Sequence, residues 1–212
     1  MICPLCHFNL NEPRLLNAGV SLFQCSQCYL AFKNSNDFPD QTVERNHYLN
    51  HNNSLEDERY LSYLDKSISA VKSEIKFDKS ILDYGCGPVK GIEYILKNFN
   101  VYSYDPIFYP DHSFKKKKFD LIFINEVAEH FQDPFQEFIL LNELLNTNGT
   151  IIMRTELLQE KKDWPYSKDP THVVFYTLKT LDFLCHQFDF ELDVFSDKIF
   201  LMRKGRRSQL LP

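Results

Sequence analysis

Three groups of residues in this chain have the types and spacing for chemistry. The first is a pair of CxxC turns, Cys3-Pro-Leu-Cys6 and Cys25-Ser-Gln-Cys28, separated by eighteen residues. Tetrahedral zinc needs four thiolates within bonding distance. Each CxxC turn presents two of them, and a short hairpin brings the second turn over the first. A site of four cysteines has no open position, so the zinc expected at Cys3, Cys6, Cys25 and Cys28 is structural rather than catalytic. The second group is the glycine-rich stretch "ILDYGCGPVKG" at residues 81–91, and the third is "NEVAEHF" at residues 125–131.

The glycine stretch follows an apolar run, as a ligand loop should. A dinucleotide fingerprint has G-x-G-x-x-G, with backbone N–H groups and a helix N-terminus facing a pyrophosphate. Here Gly85 and Gly87 are followed by Gly91, one place late, and Pro88 removes an N–H. Asp83, just before the turn, would oppose a pyrophosphate and instead suits an ammonium or a sulfonium. Asp105 lies twenty residues beyond Gly85, at the end of the next strand, where a carboxylate accepts from ribose hydroxyls. A ribose, a positive end and no phosphate describe S-adenosylmethionine. A nicotinamide oxidoreductase is the competing enzyme reading, opposed by Asp83 and the spacing; a non-catalytic scaffold is the third.

In "NEVAEHF" the spacing puts Glu126 and Glu129 on one face of an opening helix, with His130 beside them. His172, in "DPTHVVFY", follows a later strand whose end faces the same cleft. Two carboxylates and two imidazoles are plausible ligands for a divalent metal such as Mg2+ or Mn2+. The alternative is metal-free: Glu129 and His130 brace the helix start or line the acceptor pocket, and His130 or His172 serves as the general base.

Elements must position these groups. Strands are expected at "SILDY", "VYSY", "FDLIFI", "GTIIMRT", "FELDVF" and "KIFLMR", with helices at "KGIEYILKNF", "PFQEFILLNELL" and "TLKTLDFLCHQF". Such alternation predicts a parallel sheet whose ligands sit beyond the strands' carboxyl ends. Upstream, "VSLFQ" and "YLAF" read as strands of the ribbon hairpin, and residues 55–75 read as one helix capped by Ser54. The polar run between them reads as connector. The expected organisation is ribbon 1–36, connector and helix 37–77, main domain 78–205 and basic tail 206–212. The aromatic segment 157–176 reads either as a lid stacking on a planar acceptor or as a cover for the sheet edge.

"LDYGCGP", "YDP", "FDLIFINEVAEHFQDP" and "LLNTNGTIIMRT" together resemble the class I S-adenosylmethionine-dependent methyltransferases over residues 78–203. The leading ribbon, "HNNSLEDERY" and "WPYSKDPTHVVFY" also resemble a bacterial subgroup of that family. The resemblance implies an α/β fold: a Rossmann-like, seven-stranded sheet with an N-terminal zinc ribbon. It implies that Gly85 and Gly87, with Cys86 between them, line the methionine part of the cofactor. Asp105 and Pro106 would meet the ribose, and Asn125 and Glu126 the cofactor's edge. Val89 departs from the family, which often has glycine there. The E-x-x-E-H string resembles 2′-O-methyltransferases of small-RNA 3′ ends and ubiquinone-pathway O-methyltransferases. From the former comes the metal set Glu126, Glu129, His130 and His172.

Composition bounds the rest. The 212 residues are 43% apolar and 25% charged, room for one α/β domain and an appendage. A net charge of −5 opposes a nucleic-acid-coating protein, although RNA remains among the acceptors considered, with a small molecule or a protein group. Residues 1–50 carry only Arg14, Lys33 and Arg45 as cations, which favours folding or docking over nucleic-acid binding by the ribbon. No run of eighteen apolar residues indicates a membrane span, and no signal peptide is read at the N-terminus, so a cytoplasmic location is expected.

Overall fold

The computed structural model describes residues 1–12, 14–49 and 53–205. The expected basic tail, with Arg206 and Arg207, and residues 50–52 of the connector lie outside them. The chain begins with three short strands, β1 (Arg14–Asn17), β2 (Ser21–Gln24) and β3 (Ala31–Phe32), paired antiparallel in that order. β2 and β3 are the expected hairpin. β1 is an addition whose single buried side chain, Leu16, leaves no alternation to read.

Within the expected connector lies a helix, α1 (Gln41–Leu49). Asp40 starts it by accepting from the Val43 N–H at 2.8 Å. α2 (Glu58–Ala70) is shorter than the helix expected over residues 55–75. Ser54 spends its hydroxyl on the Glu56 N–H, and Asp57, bonded to the Arg59 N–H at 2.9 Å, is the cap.

The main domain follows as β4 (Ser80–Tyr84), α3 (Gly91–Ile95), β5 (Asn100–Tyr104), β6 (Phe119–Asn125), α4 (Pro134–Leu144) and β7 (Leu145–Arg154). Then come α5 (Pro165–Lys168), β8 (Val174–Phe175), α6 (Leu178–Phe188), β9 (Phe190–Val194) and β10 (Ile199–Lys204). The sheet order is β5-β4-β6-β7-β10-β9, parallel from β5 to β7, with β10 antiparallel to both neighbours. Ile81, Phe123 and Ile152 point to α2 and α3, while Leu82, Ile122 and Ile151 point to α4 and α6. All six are fully buried, which is why these strands read as unbroken apolar runs.

The family's seven-stranded sheet is here six-stranded among the described residues, and it stops at β5. A further parallel strand with its crossover needs about a dozen residues or more. The chain from Asp105 to Lys118 spends them on an Asp105–Tyr109 bridge, a 3-10 turn at His112–Lys116 and the lysine run. No helix among the described residues is long and apolar enough to cross a membrane.

The ribbon is not a separate lobe. β8 adds to its sheet, pairing Ala31 with Phe175 and Phe32 with Val174. Trp164, Phe175 and Tyr176 are buried, Trp164 and Phe175 with Leu16, Leu22 and Ala31 of the ribbon and Tyr176 in the main core. Of the two readings of the aromatic segment, these three residues follow the cover; only Tyr166 reaches the cleft.

Candidate active site

The carboxyl ends of β4, β5 and β6 open on one cleft of about 1130 Å³. Its floor is the glycine turn. Gly85 (φ 80°) and Gly87 (φ 63°) are left-handed, and the Gly85 and Cys86 amides donate to the Tyr104 carbonyl at 2.8 and 3.0 Å. A Cβ on Gly85 would lie 2.6 Å from the Val127 side chain, whereas one on Gly87 would meet no atom. Backbone at Gly87 is therefore open to a ligand's close approach. Gly91 has another task. A Cβ there would collide with Leu64 and Tyr60 of α2, so the late glycine permits helix packing and leaves the turn itself to Gly85 and Gly87.

Asp83, Cys86, Asp105, Pro106, Asn125 and Glu126 line the same cleft. Burial, reinforced by Asp105 and Glu93, pushes the Asp83 carboxyl up to about 7. Asp105 ties the turn to the chain beyond it. One oxygen accepts from the Gly87 N–H at 3.0 Å, and the other from the Ile107 and Phe108 N–H groups at 2.8 and 2.9 Å. The first oxygen keeps acceptor capacity. Asn125 has both amide atoms buried and unpartnered, which is costly without a ligand that both donates and accepts. Open backbone at Gly87, acids at Asp83 and Asp105 and an unspent amide at Asn125 fit a cationic nucleoside.

Glu126 and Glu129 do not share a helix face. Asn125 ends β6, Glu126 turns left-handed (φ 52°), and a 3-10 turn at Ala128–His130 precedes α4. The Glu126 carboxylate accepts from the Tyr63 and Tyr166 hydroxyls at 2.5 and 2.9 Å. Arg154, stacked 3.4 Å over the Tyr63 ring, approaches it at 3.7 Å. Glu129 is buried out of the cleft, accepts from Thr155 at 3.1 Å and contacts at 2.6 Å the same Tyr166 hydroxyl, whose one hydrogen serves a single carboxyl at a time. Burial and the neighbouring Glu126 hold its carboxyl well above the usual carboxylate range.

His130 and His172 line the cleft with ring centroids 4.8 Å apart. His130 Nδ1 meets the Thr171 carbonyl at 2.9 Å and His172 Nδ1 meets the Tyr166 carbonyl at 2.8 Å. A carbonyl only accepts, so both Nδ1 atoms carry hydrogen and both Nε2 atoms keep a lone pair. Burial lowers both imidazoles, His172 to about 4 with His130 also contributing. Both are neutral at physiological pH.

Sequence reasoning missed Glu44 and Tyr48 of α1, Tyr63 of α2, and Asp169, all of which line the cleft. Tyr60 and Tyr63 stand i, i+3 on α2, the one available signal.

Two groups have metal-ligating chemistry. The four ribbon sulfurs lie within 4.8 Å of one another, the closest pairs at 3.5 and 3.6 Å. Zinc–sulfur bonds of about 2.3 Å set tetrahedral sulfur spacings of about 3.8 Å, so the four fit zinc. The two turns repeat each other. His7 and Tyr29, each after the second cysteine, are left-handed and donate to the carbonyls of Cys3 and Cys25, both at 3.0 Å. In the other group Glu129, His130 and His172 come within 4.8 Å, and Glu126 falls outside.

Residues 50–193, more than half of the chain, match the methyltransferase-domain family. The chain belongs to that family. It is an S-adenosylmethionine-dependent methyltransferase, not a nicotinamide oxidoreductase. Its fold is shared with 1,6-didemethyltoxoflavin N1-methyltransferase of Burkholderia thailandensis, solved with 1,6-didemethyltoxoflavin and S-adenosylhomocysteine. That structure is 13% identical, with 91% of this chain and 99% of that chain covered at a TM-score of 0.55. An S-adenosylmethionine-dependent methyltransferase from Thermotoga maritima is 12% identical, with 69% and 90% covered at a TM-score of 0.50. A comparison with curated proteins found no significant match to the methyltransferase.

Proposed function

We propose that this methyltransferase methylates a hydroxyl of a small molecule, with the zinc ribbon as a structural part of the enzyme. The observation that carries the reading is that two imidazoles, both with lowered pKa, line the same cleft as the glycine turn. Bound S-adenosylmethionine supplies an electrophilic methyl group on a sulfonium. In this reading Asp83 faces its ammonium, Gly85, Cys86 and Gly87 admit its methionine part, and Asp105 beside Pro106 takes the ribose. Asn125 and Glu126 hold its edge. Nε2 of His130 or His172 accepts the hydroxyl proton as the acceptor oxygen takes the methyl, and proximity supplies much of the rate. Glu129 acts through the Tyr166 hydroxyl, which it shares with Glu126.

The charge of the cleft supports a small acceptor over RNA. Nine acids line it, and its two lining cations, Arg59 and Lys198, are each paired with an acid, Asp57 and Glu156. A protein group is the remaining acceptor class. Burial of Glu129 and the hydroxyls on its carboxyl favour metal-free chemistry over Mg2+ or Mn2+ at Glu129, His130 and His172. Four ribbon thiolates support structural Zn2+. All six cysteines are unpaired, which suits the reducing cytoplasm.

Titration calorimetry tests the cofactor half. Wild type should bind S-adenosylhomocysteine, and Asp105→Ala should weaken it by about 1.5–3 kcal/mol, the worth of a charged hydrogen bond. Wild-type protein that binds none would point to the non-catalytic scaffold.

A further inference from the structure

Lys33 follows β3 and is 8% exposed, a rare position for an ammonium without a task. Its Nζ donates to the Asp169 carbonyl at 2.6 Å, and its backbone N–H donates to the Val173 carbonyl at 2.9 Å. These two bonds bracket the five-residue turn that carries His172. Inside the turn the Asp169 carboxylate accepts from the Thr171 N–H at 2.8 Å and its hydroxyl at 2.6 Å, and it meets His47 Nε2 at 2.9 Å. At the far end the Val173 N–H donates to the Glu129 carbonyl at 2.8 Å, joining the turn to the one that bears His130.

His130 takes its Nδ1 partner, the Thr171 carbonyl, from this turn, and His172, itself in the turn, takes its own from Tyr166 in α5 just before it. The identity of the protonated nitrogen thus depends on where the stretch lies. A displacement of the turn by about 1 Å would take the Thr171 carbonyl from His130 and carry His172 away from the Tyr166 carbonyl, freeing the rings to exchange tautomers.

We propose that Lys33 is a positioning residue, through which the ribbon fixes His130 and His172 as Nδ1–H tautomers and leaves both Nε2 atoms unprotonated, that of His172 at 3.9 Å from the Asp169 carboxylate. The ribbon then supports the His172 turn from behind, since none of its own described residues lines the cleft. Its two cations are both engaged within the chain, Lys33 on Asp169 and Arg14 on Glu160. The role of the rings as bases rests on the function proposed above, whereas their tautomers follow from the carbonyl partners of the two Nδ1 atoms.

The test uses the full-length, zinc-loaded chain with nitrogen-15 in its histidines. Two-bond nitrogen–proton spectra in mildly alkaline buffer report each ring's tautomer, assigned with His130→Gln and His172→Gln. Wild type should show Nδ1–H at both. Lys33→Met should lose that signature at one ring or both, while zinc content and S-adenosylhomocysteine affinity hold. Lys33→Arg, which retains a long cationic donor, should keep the signature. Lys33→Gln, too short to reach Asp169, gives the same reading as Lys33→Met should that variant fail to fold. Unchanged tautomers in a folded Lys33→Met or Lys33→Gln overturn the proposal, as does an Nε2–H ring in wild type. A wild type with Nδ1–H rings but no cofactor binding would sink the methyl-transfer reading and leave Lys33's role standing.

Discussion

Asp83 shows how burial makes an ordinary carboxyl answer to its ligand. Its folded-state value of about 7 lies above the roughly 3.9 of an unfolded aspartate. A raised carboxyl stabilises the fold fully below the unfolded value and loses that contribution as pH rises through the folded one. Stability should therefore fall between about pH 4 and pH 7. Asp83→Asn should raise the melting temperature of the cofactor-free protein at pH 8, with the gain shrinking as pH falls. The same substitution should weaken cofactor binding, because the ammonium loses its partner; thermal melts and calorimetry read the two effects. Asp83, Gly85, Gly87 and Asp105 were legible because strand, turn and next strand end are local in sequence. Asp169 and Tyr63 were not, because packing between distant elements brings them to the cleft. The helix face expected to be shared by Glu126 and Glu129 does not form, because the left-handed backbone at Glu126 breaks the helical spacing.

Among the elements, the contact between α2 and α3 controls the cleft most directly. α2 carries Tyr60 and Tyr63 to the cleft, and it lies close because Gly91 has no side chain. Gly91→Val should force Leu64 away and cost about 1–3 kcal/mol in stability, the usual range for overpacking. It should also weaken S-adenosylhomocysteine binding, although residue 91 does not line the cleft; chemical denaturation and calorimetry on one sample read both. The central strands β4 and β6 are readable almost to the residue because they are nearly continuous buried runs, whereas β7 starts at Leu145, four residues before the expected pattern. Helices fared less well. α1 has too few apolar residues to show a period, and α3 stops at Ile95 where the sequence pattern continues to Phe99. The seventh strand came from family resemblance alone; only six apolar strand patterns are present, and six strands are what forms.

At the scale of the whole molecule, the cysteine cluster and the candidate cleft are joined through one short sheet. Zinc should be found at one per chain, and Cys25→Ser with Cys28→Ser should abolish it. Because β3 begins three residues beyond Cys28 and pairs with β8, the double variant should lower the melting temperature of the entire protein in one transition. A separate early transition, with the remainder melting as in wild type, would show the ribbon to be an independent unit. The two CxxC turns announced the ribbon clearly, but no local pattern revealed that its last neighbour lies far along the chain. That distance has a consequence in time. Ala31 must wait for Phe175, so during synthesis the amino-terminal turns can capture their ion long before their sheet is complete. Closing so long a loop adds little to its entropic cost, since that cost grows only logarithmically, but such non-local pairings form late. The strand beside the His172 turn therefore has no partner in β3 until residue 175 has left the ribosome.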